Sequence, residues 1–271
     1  MKKSMAFFCI SLLFIFSSRA CEICGCGVGT QYIGLLPQFN HHFFGTRYRF
    51  SSFNTRLYDD PSEFSKDFYQ TIEFWGGLNI GKRWQLLGFV PYNIVYQNSD
   101  EGITHRNGLG DITLLANYKL LDKLSGSKHT VSQQIWIGGG VKLPTGKFSV
   151  DPSDPDLASI ANSQVGSGST DFLLNAQYNI RINKIGISSN VGYKINTTNK
   201  DNYKFGNRFS ANSFVFYTVP VGKTVLMPNI GILYDHSAAN DLQNTKINLT
   251  GGNLLMASAG TEITLNKVSL G

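Results

Sequence analysis

Apolar and polar residues alternate along most of this chain with a period of two, in runs closed by Gly, Asn, Asp, Pro or Lys. That is the repeat of a β-strand and not of a helix. Ten such runs are predicted, over residues 45–53, 69–78, 84–96, 111–120, 134–146, 171–180, 185–196, 205–217, 225–235 and 254–265.

A strand sends successive side chains to opposite sides, so each run sorts into two faces. In 111–120, Ile112, Leu114, Ala116, Tyr118 and Leu120 share one face, and Asp111, Thr113, Leu115, Asn117 and Lys119 share the other. The run 171–180 repeats this, with Phe172, Leu174, Ala176, Tyr178 and Ile180 opposed to Asp171, Leu173, Asn175, Gln177 and Asn179. Near the start of the chain Phe44, Thr46, Tyr48 and Phe50 oppose Arg47, Arg49 and Ser51. Across the ten runs one face is almost free of charge, while the other carries Arg47, Arg49, Glu73, Asp111, Lys119, Lys142, Asp171, Lys194, Arg208 and Glu262.

A soluble sandwich would alternate too, with its charged face in water and its apolar face against a second sheet. The connections separate the two cases. IGKR (80–83), RINK (181–184), VPVGK (219–223) and LNK (265–267) are short, and they alternate with long segments such as QNSDEGITHRNG, SVDPSDPDLASIANSQVGSGST and DHSAANDLQNTKINLTGG. Outer-membrane barrels arrange short periplasmic turns and long extracellular loops in this way. The expected fold is therefore all-β, an antiparallel transmembrane β-barrel. Backbone amides in hydrocarbon must all be paired, which a sheet achieves only by closing. Ten runs followed by KVSLG, the start of an eleventh, with no terminal aromatic residue, lead to an expectation of 12 strands in an intact barrel, or 10 as the fallback, and of a chain that stops short.

Lys2 and Lys3, the apolar stretch Met5 to Phe16 and the small residues of Ser18-Arg19-Ala20 read as a secretory signal peptide over 1–20. The stretch is shorter than the roughly 20 residues that a membrane-spanning helix needs. Residues 21–42 form a cysteine-rich periplasmic or plug segment, and the barrel occupies 43–271. The composition agrees, with 42% hydrophobic, 13% aromatic and only 15% charged residues. A net charge of +6 would ordinarily suggest an anionic partner, yet the acids and bases are segregated. Twelve of the 18 acids (Asp59, Asp60, Glu63, Asp67, Asp100, Glu101, Asp151, Asp154, Asp156, Asp201, Asp235 and Asp241) fall to the long connections, and Lys and Arg to the short ones. That is a polarised barrel and not a nucleic-acid surface.

The chain also echoes itself: DITLLANY at 111 and DFLLNAQY at 171 share one pattern, and each is followed by a strand with an inward lysine, Lys142 or Lys194. Asp111 and Asp171 are expected at the loop rim, either paired with Lys142, Lys194, Arg47 or Arg49, or polarising a conduction path.

GLGDITLLANYKLL, GGGVKLPTGKF and GSTDFLLNAQY resemble the outer-membrane β-barrel family of MetA-pathway of phenol degradation transporters, distant relatives of the long-chain fatty acid transporters. CEICGCGVGTQYIGLLPQF followed by HHFFGTRYRF is similar to a subgroup with a cysteine-rich start. The resemblance implies passage of small, apolar or aromatic molecules across the outer membrane of a Gram-negative bacterium.

Inward positions Leu87, Phe89, Pro91, Val95, Phe214 and Phe216 are apolar, so the interior reads as narrow, either partly filled by side chains or holding one elongated apolar ligand. The loop 147–170 either folds inward as a constriction or covers the outside. No catalytic motif is present, GVGTQYIG lacks a preceding strand, and His105, His129 and His236 are placed in loops, so no enzyme is expected.

Cys21, Cys24 and Cys26 leave three chemistries open. Cys21 could be lipidated, although Ser18 and Arg19 do not fit that signal. Two of the thiols could form a disulfide in an oxidising compartment. All three could bind Cu, or Zn if His41 or His42 completes the ligands. The apolar stretch Tyr32 to Phe39 fits a plug. Two functions follow: a transport barrel for small solutes held in outer-membrane lipid, or a membrane-anchored protein that binds metal or docks a periplasmic partner through its cysteines.

Overall fold

The computed structural model describes residues 42–56, 64–99, 102–123, 131–150, 157–248 and 250–271. The leader, Cys21, Cys24, Cys26, His41 and His129 lie outside the described residues. The elements are β1 (Phe43–Arg56), β2 (Phe64–Ile80), β3 (Trp84–Ser99), β4 (Gly102–Leu109), β5 (Thr113–Lys123), β6 (Val131–Lys142), the single-turn helix α1 (Leu157–Asn162), β7 (Asp171–Ile182), β8 (Ile185–Ile195), β9 (Tyr203–Lys204), β10 (Arg208–Tyr217), β11 (Val219–Val221), β12 (Thr224–Ser237), β13 (Asp241–Leu242), β14 (Thr245–Lys246), β15 (Gly252–Leu265) and β16 (Val268–Leu270).

One antiparallel sheet runs β1-β2-β3-β5-β6-β7-β8-β10-β12-β15-β16, with β4 beside β3 and β11 beside β12. Its ten long strands correspond to the ten predicted runs. Neighbours in space are neighbours in sequence, as expected of an up-and-down barrel wall. The inside-out distribution of side chains marks this sheet as one that meets lipid. Phe44 is 76% and Leu255 71% exposed, whereas Asp171 is fully buried and Asn117 is 2% exposed. Water would reverse that order, while hydrocarbon outside and a polar interior require it.

The turns are specified locally. Gly81, Asn183, Gly222 and Asn266 have φ of 63°, 54°, 61° and 53°, and each precedes a lysine in a short connection. Tight hairpins need this left-handed conformation, and Gly and Asn adopt it at least cost. Within β5 the register shifts between Lys119 and Leu121. The bulge re-aims the chain, so that Asp122 opposes Gln134 and joins Lys119 on the inner face.

Two predicted boundaries change. The segment read as a loop after the third run contains β4, because β3 pairs with β4 along Tyr92–Ser99 and with β5 along Trp84–Phe89. Asp67 and Asp235, counted with the loop acids, belong to β2 and β12.

Above the wall, β9, β13 and β14 form a separate small sheet. Phe148, Ala161, Tyr203 and Phe205 make a buried core there, with Val150, Leu242 and Ile247 against it. The described residues of the segments 143–170, 196–207 and 238–251 thus share one packing unit at the extracellular end. Tyr203 is its centre, fully buried, with its hydroxyl accepting from Asn240 Nδ2 at 2.8 Å.

Candidate functional site

The inner face of β5, β6 and β7 is layered from the extracellular end downward. Thr113, Lys142 and Asp171 stand level; below them come Leu115, Gly140 and Leu173, then Asn117, Gly138 and Asn175, then Lys119, Trp136 and Gln177. Charge, hydrocarbon, amide and a cation over an aromatic ring follow one another, with Lys119 Nζ 4.8 Å from the Trp136 ring centroid. The glycines of β6 make the layers possible. A side chain at Gly140 would collide with Leu115, and one at Gly138 with Asn117. Gly138 and Gly140 thus let side chains of the neighbouring strands β5 and β7 fold across β6.

Two apolar patches line the wall. Leu87, Phe89, Leu115 and Leu173 form one, with Phe43 and Trp75 packed against it. Trp75 stacks on Phe89 at 6.1 Å and meets Phe43 edge-on at 5.0 Å. Phe214, Phe216 and Met227 form the other, with Val225 and Leu233 beside them. Between them β7, β8 and β10 present amides and hydroxyls, including Gln177, Asn179 and Ser188, all buried.

The charged residues singled out in the sequence all lie on the inner side of the sheet or at its mouth, and they fall into groups. Glu73 takes Arg47 and also Arg49, the latter at 3.3 Å, and the Arg47 guanidinium lies 5.6 Å from the Trp75 ring centroid. Lys119 pairs with Asp122 at 2.8 Å, and Asp122 also accepts from Gln134 at 3.1 Å. Arg208 pairs with Asp235 at 3.2 Å and lies opposite Lys194 in the ladder. Glu262 faces inward on β15 opposite Met227. The sequence pattern groups Asp235 with the loop acids, and its tertiary position makes it the partner of Arg208.

Lys142 resolves the choice of partners for the two repeated aspartates. Its ammonium lies 2.7 Å from Asp111 Oδ2 and 2.7 Å from Asp171 Oδ2, and it also donates to Ser167. Asp171 starts β7 as expected, but Asp111 stands in the break between β4 and β5. There it accepts from the backbone of Gly146 at 3.0 Å and of Ser167 at 2.9 Å. Arg47 and Arg49, the other partners considered, are engaged by Glu73.

Of the long loop 147–170, the described residues 160–166 lie against the inner side of the mouth. Arg106, on the inner face of β4, donates to the Ser163 hydroxyl. Asn93 Nδ2 of β3 donates to Val165 O at 2.9 Å. Val165 is buried and Ser163 fully so. Of the two positions open for this loop, these described residues take the inward one.

At the periplasmic turn between β2 and β3, Arg83 donates to the Tyr118 hydroxyl at 2.8 Å, and this hydrogen bond raises the guanidinium pKa. His42 Nδ1 accepts from the Asn79 amide at 3.2 Å. Among the described residues no three His, Cys, Asp or Glu gather as metal ligands, and the cysteine cluster falls outside them. Two histidines placed in loops by the sequence reading are on strands: His105 in β4 and His236 in β12, both exposed. His236 Nδ1 shares a hydrogen bond with Asn253 Oδ1 at 2.9 Å, and its cross-strand neighbours are Phe209 and Asn253.

The family model described as MetA-pathway of phenol degradation matches residues 62–253. The chain belongs to this family. The match spans the segments 111–120 and 171–180 that carry the repeated motif. Among solved structures, an outer membrane channel from Pseudomonas putida F1 is similar, with 15% sequence identity and a TM-score of 0.53. The similarity covers 81% of this chain and 79% of that one. A search of curated proteins finds no match. With the inside-out sheet, these findings make the chain an outer-membrane β-barrel of this family, located in the outer membrane of a Gram-negative bacterium.

Proposed function

We propose that this barrel passes small apolar or aromatic solutes across the outer membrane, with the inward charged groups of β1, β2, β6, β7, β8, β10, β12 and β15 polarising the path. The observation that carries this reading is the lumen wall itself. Leu87, Phe89, Leu115 and Leu173 on one side and Phe214, Phe216 and Met227 on another give a ring-shaped solute apolar surface. The amides between them provide hydrogen-bond partners for a single polar substituent. A water-filled porin would line its lumen with polar groups throughout. The family's description, phenol degradation, names chemistry of the same kind.

The test is uptake by liposomes that contain the pure full-length protein, comparing benzoate and hydroxybenzoate with a pentose sugar. Uptake of the aromatic acids above empty vesicles, and faster than uptake of the sugar, is expected. Equal rates for both classes would remove the aromatic preference, and no uptake of any solute would remove conduction.

A further inference from the structure

The guanidinium groups of Arg47 and Arg49 share one carboxylate, that of Glu73, so this part of the wall holds two positive charges against one negative. The arrangement turns the excess towards the lumen. The Glu73 side chain is 7% exposed, against 19% for Arg47 and 22% for Arg49, so the acid stands behind and the two cations in front. Arg49 gives one terminal nitrogen to Glu73, at 3.3 Å, while its Nε is a buried donor with no hydrogen-bond partner among the described residues. A guanidinium is a planar fork that suits two parallel bonds to one carboxylate, and part of this fork is unused.

An aromatic surface lies one level nearer the periplasm. Arg47 faces Glu73 in the β1-β2 ladder, and two residues along, Gly45 faces Trp75, which in turn faces Phe89 of β3. Two residues of strand rise about 7 Å, the length of a benzene ring with one carboxylate. Trp75 is only partly buried, and the Arg47 guanidinium carbon lies 5.6 Å from its ring centroid. Position 45 is glycine, so β1 adds no side chain at this level; a Cβ there would come within 3.2 Å of Trp75 Nε1. Leu87 and Leu115 continue the apolar surface below. Beyond β3, Lys142 stands between Asp111 and Asp171, so there the acids outnumber the base and the positive excess is confined to β1 and β2.

We propose that Arg47, Arg49, Trp75 and Phe89 form a subsite for aromatic monocarboxylates on the lumen wall, with the two guanidinium groups holding the carboxylate and the ring laid against the indole. The subsite deepens the conduction reading above and rests on it for its place on a solute path. A carboxylate neutralises the excess charge of β1 and supplies acceptors for the Arg49 fork. Its ring gains contact with Trp75 and Phe89 that acetate or an inorganic anion lacks. Neutral phenol gains the ring contact alone. The two ends select together, so an aromatic acid is favoured over either half of itself.

The experiment places the full-length protein in lipid nanodiscs and titrates it with radiolabelled benzoate, subtracting empty nanodiscs; unlabelled benzoate, phenol and acetate then compete. Benzoate is expected to bind saturably. Phenol and acetate are expected to compete at least about tenfold more weakly, the scale of one charge-assisted hydrogen bond or one aromatic contact. Arg49→Gln is expected to weaken benzoate about tenfold, which brings it close to phenol. If that variant does not assemble, Arg49→Lys, which keeps the charge and loses the fork, is expected to weaken benzoate several-fold. The comparison of competitors needs no variant. Acetate as strong as benzoate makes this a plain anion site and overturns the proposal. Phenol as strong as benzoate, benzoate binding that ignores the change at Arg49, or no saturable binding at all overturns it too. If benzoate binds with this selectivity while liposomes holding the protein take up no solute, conduction fails and the subsite stands. If benzoate is taken up but its binding does not depend on Arg49, the subsite fails and conduction stands.

Discussion

Asn175 donates its side-chain amide to Asn117 Oδ1 at 3.1 Å, and the two side chains meet over the α-carbon of Gly138. The pair closes the amide layer across β6, because a Cβ at position 138 would lie 2.8 Å from Asn175 Oδ1 and overlap Asn117. Gly138→Ala is therefore expected to destabilise the barrel by about 1–3 kcal/mol, the usual scale of overpacking. Gly260→Ala meets its nearest neighbour, Asn229, at 3.6 Å and is expected to stay within about 0.5 kcal/mol of the parent. Urea unfolding in lipid vesicles, read by tryptophan fluorescence, measures both.

Glu73 is the carboxylate that holds both Arg47 and Arg49. Glu73→Gln changes that group from two positive and one negative charge to two positive charges alone. The lumen then favours anions more strongly. In a planar bilayer under a potassium chloride gradient, the reversal potential is expected to move towards that of chloride. A shift towards potassium would show that this group does not face the conduction path.

Asp235 is 1% exposed and pairs with Arg208. Breaking a buried ion pair from one side leaves a charge without compensation and costs about 3–5 kcal/mol. Asp235→Asn is expected to lower the temperature at which the barrel loses its compact form on gel electrophoresis. Replacing both partners, Arg208→Met with Asp235→Leu, is expected to recover most of that loss. A double variant as unstable as the single one would place the energy in other contacts of these residues.

Lys246 is exposed in the small upper sheet, and Lys184 in the short turn between β7 and β8. Lys246→Cys is expected to react with an impermeant maleimide on intact cells, and Lys184→Cys only after the outer membrane is permeabilised. The reverse pattern would invert the barrel.

The long strands and their two faces were legible because lipid outside and side-chain packing inside impose opposite demands on successive residues. Leu114 and Phe172 came out exposed, and Leu115 and Leu173 buried, as their places in the alternation require. Where alternation weakens, the sequence stops speaking. In β4 the outward positions include His105 and Asn107, so the strand read as loop, and what holds it is pairing with β3. The bulge in β5 carries no local mark, yet it decides that Asp122 points inward. The two aspartates of the repeated motif were visible, but the partner of each depends on strand register and loop path, which put both against Lys142. The inward position of Ser163 and Val165 rests on a hydroxyl and a backbone carbonyl, groups that the sequence pattern does not tie to a wall contact.

Because Tyr203, Phe148 and Leu242 come from three different loops yet share one buried core, those loops cannot diversify separately. A change at Tyr203 that suits a new environment must be answered at Phe148 or Leu242. Pressure from antibodies or phage is then absorbed elsewhere, at the tip between β13 and β14. There the side chains of Gln243 and Asn244 are exposed, and φ of 51° and 65° confines ready replacement to residues that tolerate a left-handed turn.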